Sequence, residues 1–145
     1  MTTEKLSSDN INHLIPLVLK LWPDCVAEEE HVYFSGMIAA EQDVCYLVKF
    51  DHVYIAFIHV SVRNDYVEGA EDLPVAYIEG IYVTPDYQRK GVAKHLVKVA
   101  EDWALEKGIK QIASDTSVSN DQAIAFHKGL GFSEVERIVC FIRTL

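Results

Sequence analysis

Only two residues, Asp51 and His52, separate two runs dense in β-branched and aromatic side chains, VCYLVKF (Val44–Phe50) and VYIAFIHVSVR (Val53–Arg63). So short a connection predicts an antiparallel hairpin, around which the rest of the chain must be arranged. A third run, VAYIEGIYVT, predicts another strand, and Gly80 near its middle marks a bulge or a close backbone approach. The intervening NDYVEGAEDLP reads as an acidic loop.

Helical patterns flank these strands. SSDNINHLIPLVLKLWP sets Ile11, Leu14, Ile15, Val18 and Leu19 at helical spacing, with Ser8 or Asp9 available as cap and Pro23 near the end. Pro16 falls in the interior and predicts a kink. AEEEHVYFSGMIAAEQ predicts a second helix, weakened by Gly36. Further on, Val92, Leu96, Val99 and Trp103 share one face of a helix that Gly108 can end. KQIASDTS reads as a short strand with a polar end, NDQAIAFHKGLGF as a short helix closed by glycine, and SEVERIVCFIRTL as one or two strands. The order α, α, β, β, β, α, β, α, β, β predicts an α/β fold around one mixed sheet. A length of 145 residues is expected to form one domain, 1–145.

Composition narrows the function classes. Half the residues are apolar, yet no run approaches a membrane span and the N-terminus lacks a signal-peptide pattern. Cys25, Cys45 and Cys140 are odd in number and far apart, which fits neither a disulfide framework nor a zinc site. The expectation is a cytoplasmic protein with no metal and no membrane contact. Net charge is -9, split as -10 over residues 1–85 (4 basic, 14 acidic) and +1 over residues 86–145 (9 basic, 8 acidic). Nucleic acid is a poor partner for such a chain. The acidic part would attract a cation, or simply keep the protein soluble.

Against this acidity, Arg89, Lys90, Lys94 and Lys98 crowd around Gly91 where a strand gives way to a helix. Helix-start amides lack intrahelical acceptors, and the dipole there favours an anion. Gly91 and Ala93 keep the loop bare enough for phosphate oxygens to reach the backbone. An anionic ligand and a solvated helix start with surface lysines both remain open on spacing alone.

The motif QRKGVA resembles the Q/R-x-x-G-x-A/G acyl-CoA loop of the GCN5-related N-acetyltransferases (GNAT), matching at Gln88, Gly91 and Ala93. NDQAIAFHKGLGF is similar to that family's N-x-x-A-x-x-x-Y-x-x-x-G-F segment at Asn120, Ala123, Gly131 and Phe132. The resemblance implies a GNAT fold, a mixed and mostly antiparallel sheet flanked by helices, with acetyl-CoA as acetyl-donor cosubstrate. It assigns the pyrophosphate to backbone amides of Arg89, Lys90, Gly91, Val92, Ala93 and Lys94. Main-chain groups of Ile81, Tyr82 and Val83 take the pantetheine arm and the thioester carbonyl, and Asn120 holds the pantetheine side. His127 stands where the family commonly has a tyrosine that protonates the leaving thiolate. It can serve as that acid or as a packing residue.

Transfer from a thioester needs a neutral amine, hence a carboxylate to receive a proton. Glu79 in the strand before the loop and Asp115 at the end of the next strand are the two candidates, for catalysis and for acceptor binding. A structural strand charge at 79 and a cap at 115 are the alternatives. LWPD, RNDYVEG, EGIYV, SDTS and ERIVCF resemble the aminoglycoside 6'-N-acetyltransferase branch of the family. That resemblance implies a polycationic amine acceptor contacted by Trp22, Tyr66, Glu79, Asp115 and Glu136, and a homodimer for which the apolar tail IVCFIRTL would provide an edge strand. Acetylation of another amine, such as a polyamine or a protein N-terminus, uses the same acidic cleft. A non-catalytic acyl-CoA-binding regulator would keep the loop without the carboxylates.

Overall fold

The computed structural model describes residues 1–145. The chain runs β1 (Thr2–Lys5), α1 (Ile11–Leu21), α2 (Ala27–Met37), β2 (Asp43–Phe50), β3 (Val53–Arg63), β4 (Val75–Val83), a 3-10 turn (Pro85–Tyr87), α3 (Val92–Glu106), β5 (Ile112–Ala113) and α4 (Asp121–Gly129). One five-stranded sheet has the order β1-β2-β3-β4-β5. All pairs are antiparallel except β4–β5. This is the mixed, mostly antiparallel α/β arrangement expected. Asp51 (φ 47°) and His52 (φ 67°) both adopt the left-handed conformation that a two-residue hairpin turn demands.

The sheet is covered on both faces. Leu14, Val18 and Phe34 of α1 and α2 pack with Cys45, Leu47 and Phe57 on one side. Leu96, Val97 and Ala100 of α3 pack with Val44, Ile58 and Val60 on the other. Alternation along β2 and β3 therefore supplies both cores, which is why these strands read as nearly continuous apolar runs. No helix is long and apolar enough to cross a membrane.

Four local expectations differ from the structure. Thr2–Lys5 forms β1, pairing with β2 from Thr2 opposite Lys49 to Lys5 opposite Tyr46; TTEK has no apolar pattern, so its neighbour's ladder decides its conformation. The cap of α1 is Asn10, not Ser8 or Asp9. Its side chain accepts from the Ser7 N–H (2.9 Å) and donates to the Lys5 carbonyl (3.0 Å), tying the β1–α1 connection instead of the helix start. α1 runs through exposed Pro16 without interruption. Finally, the residues after Phe132 form no strand and are exposed, with Phe141, Ile142 and Leu145 at least 92% accessible. A strand exists only as part of a ladder, and the tail meets no partner strand within the chain.

Candidate functional site

β4 and β5 pair at only two positions, Ala76 with Ile112 and Tyr77 with Ala113. Beyond Tyr77 the two parallel strands part. β4 continues along β3 through Ile81, Tyr82 and Val83, opposite Ile58, Phe57 and Ala56. Its other edge has no strand partner there, so an extended ligand can add to it as a strand would.

The turn after β4 leads into the basic loop. Gln88 Nε2 donates to the Val83 carbonyl (2.9 Å) and closes the loop onto the strand end. Arg89 (φ 56°) and Gly91 (φ 83°) are both left-handed, and Gly91 is the N-cap of α3 without any side-chain cap. The first helical bond is His95 N–H to Gly91 C=O (2.9 Å), so the amides of Val92, Ala93 and Lys94 have no helical acceptor. Apart from its adjoining chain, nothing lies within 4 Å of where a Cβ on Gly91 would stand. Lys98 is paired with Asp102 at 2.7 Å, whereas Arg89, Lys90 and Lys94 belong to no ion pair. Bare backbone, free amides and unpaired cations together fit a diphosphate.

Across the parting lies the acidic side. Along β3, Phe57 and Ser61 are four residues apart and share a face. Their partners Tyr82 and Tyr77 are five apart, because β4 bulges at Glu79, which has no partner between Ile78 (opposite Val60) and Gly80 (opposite His59). A bulge re-aims the side chain it carries. The Glu79 carboxylate takes Ser61 Oγ at 2.5 Å and Arg63 in a two-pronged bond, Nε to Oε1 at 3.0 Å and Nη2 to Oε2 at 2.9 Å. Burial pushes the Glu79 carboxyl up, but Arg63 and Ser61 outweigh it and leave it below the ordinary carboxylate value. Held in this way, Glu79 is a weak proton acceptor and a stable anion.

Arg63 also lies flat on Tyr77, its Cζ 3.4 Å from the ring centroid. The Tyr77 hydroxyl donates in turn to Asp115, and burial together with that bond raises the Tyr77 pKa. Glu79 and Asp115 are thus the two ends of one chain of contacts, Glu79–Arg63–Tyr77–Asp115. Arg63, Tyr77, Asp115 and Glu136 line one cleft of about 970 Å³. Glu136 is exposed there, and Tyr66 is 79% exposed on the acidic loop. Trp22 does not line that cleft. Its indole lies where a Gly80 side chain would be, within 2.8 Å of an ideal Cβ at Cζ2, and edge-on to Phe57 at 6.4 Å. Gly80 is therefore both beside a bulge and closely approached.

Two expected roles are complicated by existing partners. Asn120 caps α4, its Oδ1 accepting from the Ala123 N–H at 3.0 Å; only its amide NH₂ remains for a ligand. His127 is bonded at both nitrogens, Nδ1 to the Ala123 carbonyl (2.6 Å) and Nε2 to Ser114 Oγ (2.8 Å). A carbonyl can only accept, so Nδ1 carries a proton. Arg63, Ser61 and Tyr77 were not anticipated. Their one sequence signal is alternation, Ser61 and Arg63 along β3 and Tyr77 and Glu79 along β4, and it becomes informative only with the strand register.

Comparison with known proteins agrees with this geometry. The family model "Acetyltransferase (GNAT) family" matches residues 11–132. An aminoglycoside N(6')-acetyltransferase type 1 from Serratia marcescens is 34% identical over 138 residues, covering 94% of each chain. Among solved structures, the apo aminoglycoside antibiotic 6'-N-acetyltransferase AAC(6')-IG from Acinetobacter haemolyticus matches with a TM-score of 0.93 at 33% identity, covering 100% of this chain and 99% of that one. AAC(6')-Iy in complex with the bisubstrate analog CoA-S-monomethyl-acetylneamine matches with a TM-score of 0.93 at 31% identity, covering 99% and 98%.

Proposed function

This chain belongs to the GNAT acetyltransferase family, and from that premise we propose that it is an aminoglycoside 6'-N-acetyltransferase, moving acetyl from acetyl-CoA to the 6'-amine of an aminoglycoside and so conferring resistance. One observation carries the reading: where β4 parts from β5, its edge is left without a strand partner and leads into a bare cationic loop, while Tyr77 and Arg63 link Glu79 to Asp115 beside the parting.

Bound acetyl-CoA supplies the activated acetyl group. The amides from Arg89 to Lys94 take its diphosphate, while Arg89, Lys90 and Lys94 offset the charge. Ile81, Tyr82 and Val83 align the pantetheine arm along the free edge of β4, and one of their N–H groups polarises the thioester carbonyl. Asn120 steadies the arm with its free amide NH₂. On the acceptor side, Glu79 and Asp115 bind and orient the amine, with Trp22, Tyr66 and Glu136 around the sugar rings. Asp115 or a water beside it accepts the ammonium's proton, since Glu79 is held as a stable anion. His127 is bonded through Nδ1 to the Ala123 carbonyl and through Nε2 to Ser114, and these bonds favour a packing role.

The 145 residues act as one domain, in the cytoplasm, where the unpaired Cys25 and Cys140 suit a reducing compartment. Two copies pair through the exposed apolar tail, with Ile138, Val139, Phe141 and Ile142 gaining apolar neighbours. Sedimentation of the purified protein tests this: a monomer at micromolar concentration overturns it. Thiol release from acetyl-CoA with an amine panel tests the activity. Turnover of kanamycin-type acceptors but not spermidine or peptides is expected. Turnover of only the latter, or tight CoA binding with no turnover, defeats the reading.

A further inference from the structure

Arg63 is the last residue of β3, and its side chain is 40% exposed although its two hydrogen bonds both go to Glu79. Glu79, by contrast, is 27% exposed and stands between buried Ile78 and Gly80. An ionised carboxylate in that position is costly to leave without a cation. Arg63 supplies that cation. The head group of Arg63 offers positive charge and N–H donors, which are also what a protonated amine offers.

We propose that Arg63 is a placeholder for the acceptor: its guanidinium satisfies Glu79 while the site is empty, and an amine binds by taking its place. Oε1 accepts from Ser61 and Arg63 Nε and Oε2 from Arg63 Nη2, so the acceptor site left on Oε2 lies beside the guanidinium. An ammonium taking it would meet like charge. Exchange avoids that repulsion, and the carboxylate is never unpaired. Arg63 sits at a strand end with its outer part in solvent, so release requires no rearrangement of the sheet. Its departure also uncovers the Tyr77 ring, the aromatic face nearest Asp115, for a sugar to stack on. The arrangement weakens acceptor binding by the strength of the bond that must be broken.

The inference rests on the proposed amine-acetylating activity and is tested separately from it. The full-length parent, Arg63→Met and Arg63→Lys are compared for KM of acceptor and of acetyl-CoA, and for the rise in Tm on adding acceptor. Arg63→Met removes the competing charge, so the acceptor KM should fall about tenfold, the scale of one charged hydrogen bond, with acetyl-CoA KM unchanged. Its Tm should rise more on acceptor binding than the parent's, because the ligand now restores a missing cation. Arg63→Lys keeps the charge but loses the fork, and its acceptor KM should fall between the two. An acceptor KM in either variant at or above the parent's overturns the placeholder, as does an equal or smaller Tm rise in Arg63→Met; Arg63 would then merely orient Glu79. If the parent uses another amine class, the aminoglycoside reading falls and the same comparison proceeds on that amine. The Tm measurement requires no turnover.

Discussion

The two sides of the proposed site are built on opposite plans. The side proposed for the donor is main chain: an open strand edge, left-handed Arg89 and Gly91, and helix-start amides with no side-chain cap. Its cations are unpaired and exposed. The side proposed for the acceptor is side chain, and its central carboxylates already have partners, Glu79 the Arg63 cation and Ser61, Asp115 the Tyr77 hydroxyl. Backbone sites tolerate changes of side chain that leave the conformation intact, and fail when the conformation is lost. Side-chain sites fail one charge at a time.

That contrast is most open to attack at Gly91. A valine there has room for its Cβ but must adopt φ +83°, a strain on the order of 1–2 kcal/mol for a branched residue, and it places methyl groups where phosphate oxygens approach. Gly91→Val should raise acetyl-CoA KM more than a hundredfold, by roughly that strain plus lost amide contacts, and leave acceptor affinity within a few-fold. Unchanged acetyl-CoA affinity in a folded variant removes the loop assignment.

On the other side, Asp115→Asn and Glu79→Gln keep size and remove charge. Each should lower kcat/KM for the aminoglycoside by about ten- to a hundredfold, the value of one charged hydrogen bond of ~1.5–3 kcal/mol. For Glu79→Gln the loss should lie mostly in KM, and for Asp115→Asn a fall in kcat that recovers at high pH marks proton removal. Parent kinetics in both variants from about pH 6 to 9 would mean that the two carboxylates are structural charges.

Gly80→Ala probes the rim between the two sides. Its Cβ would run into the Trp22 indole, an overpacking that costs roughly 1–3 kcal/mol. We expect a lower Tm and a several-fold rise in acceptor KM, with acetyl-CoA binding nearly unaffected. A parent-like Tm together with altered tryptophan emission, in a Trp103→Phe background that leaves Trp22 as the only fluorophore of its kind, would show that the indole has somewhere else to go.

Salt and acid should produce the mildest changes. Screening shortens to ~3 Å at 1 M salt, so added salt should raise acceptor KM proportionately more than acetyl-CoA KM. A flat acceptor KM would contradict an acidic site. Acid acts on stability through Glu79. Its folded pKa is below the ordinary 4.5, so its contribution is complete above that value and is lost as pH falls through the depressed one. Tm measured downward from pH 5 should therefore fall less steeply in Glu79→Gln than in the parent.

How much of this was legible in the sequence follows the same division. The hairpin, the three helices of the core and the glycine loop show in local patterns, because period, turn residues and bare backbone are local properties. Glu79 and Asp115 were picked out by their places on the strands flanking the loop, and the family resemblance brought in Trp22, Tyr66 and Glu136. The sequence did not reveal that Arg63 faces Glu79 across 16 positions, nor that Tyr77 meets Asp115 across 38; such pairs depend on register, which a single chain does not display. β1 was missed because its four residues, TTEK, contain no apolar side chain. The tail was read as strand from composition that is right for a strand, but nothing within the chain pairs with it.

If two copies pair through the exposed end of the tail, Phe141, Ile142 and Leu145 included, the amount of protein present becomes a variable of state. Unfolding is then coupled to dissociation, and Tm climbs with the logarithm of concentration. Assays run at nanomolar enzyme would then sample a different population from structural work at millimolar. Diluting the enzyme through its dissociation constant should lower specific activity along a mass-action curve, which excess CoA should shift to lower concentration only if ligand binding and pairing are coupled.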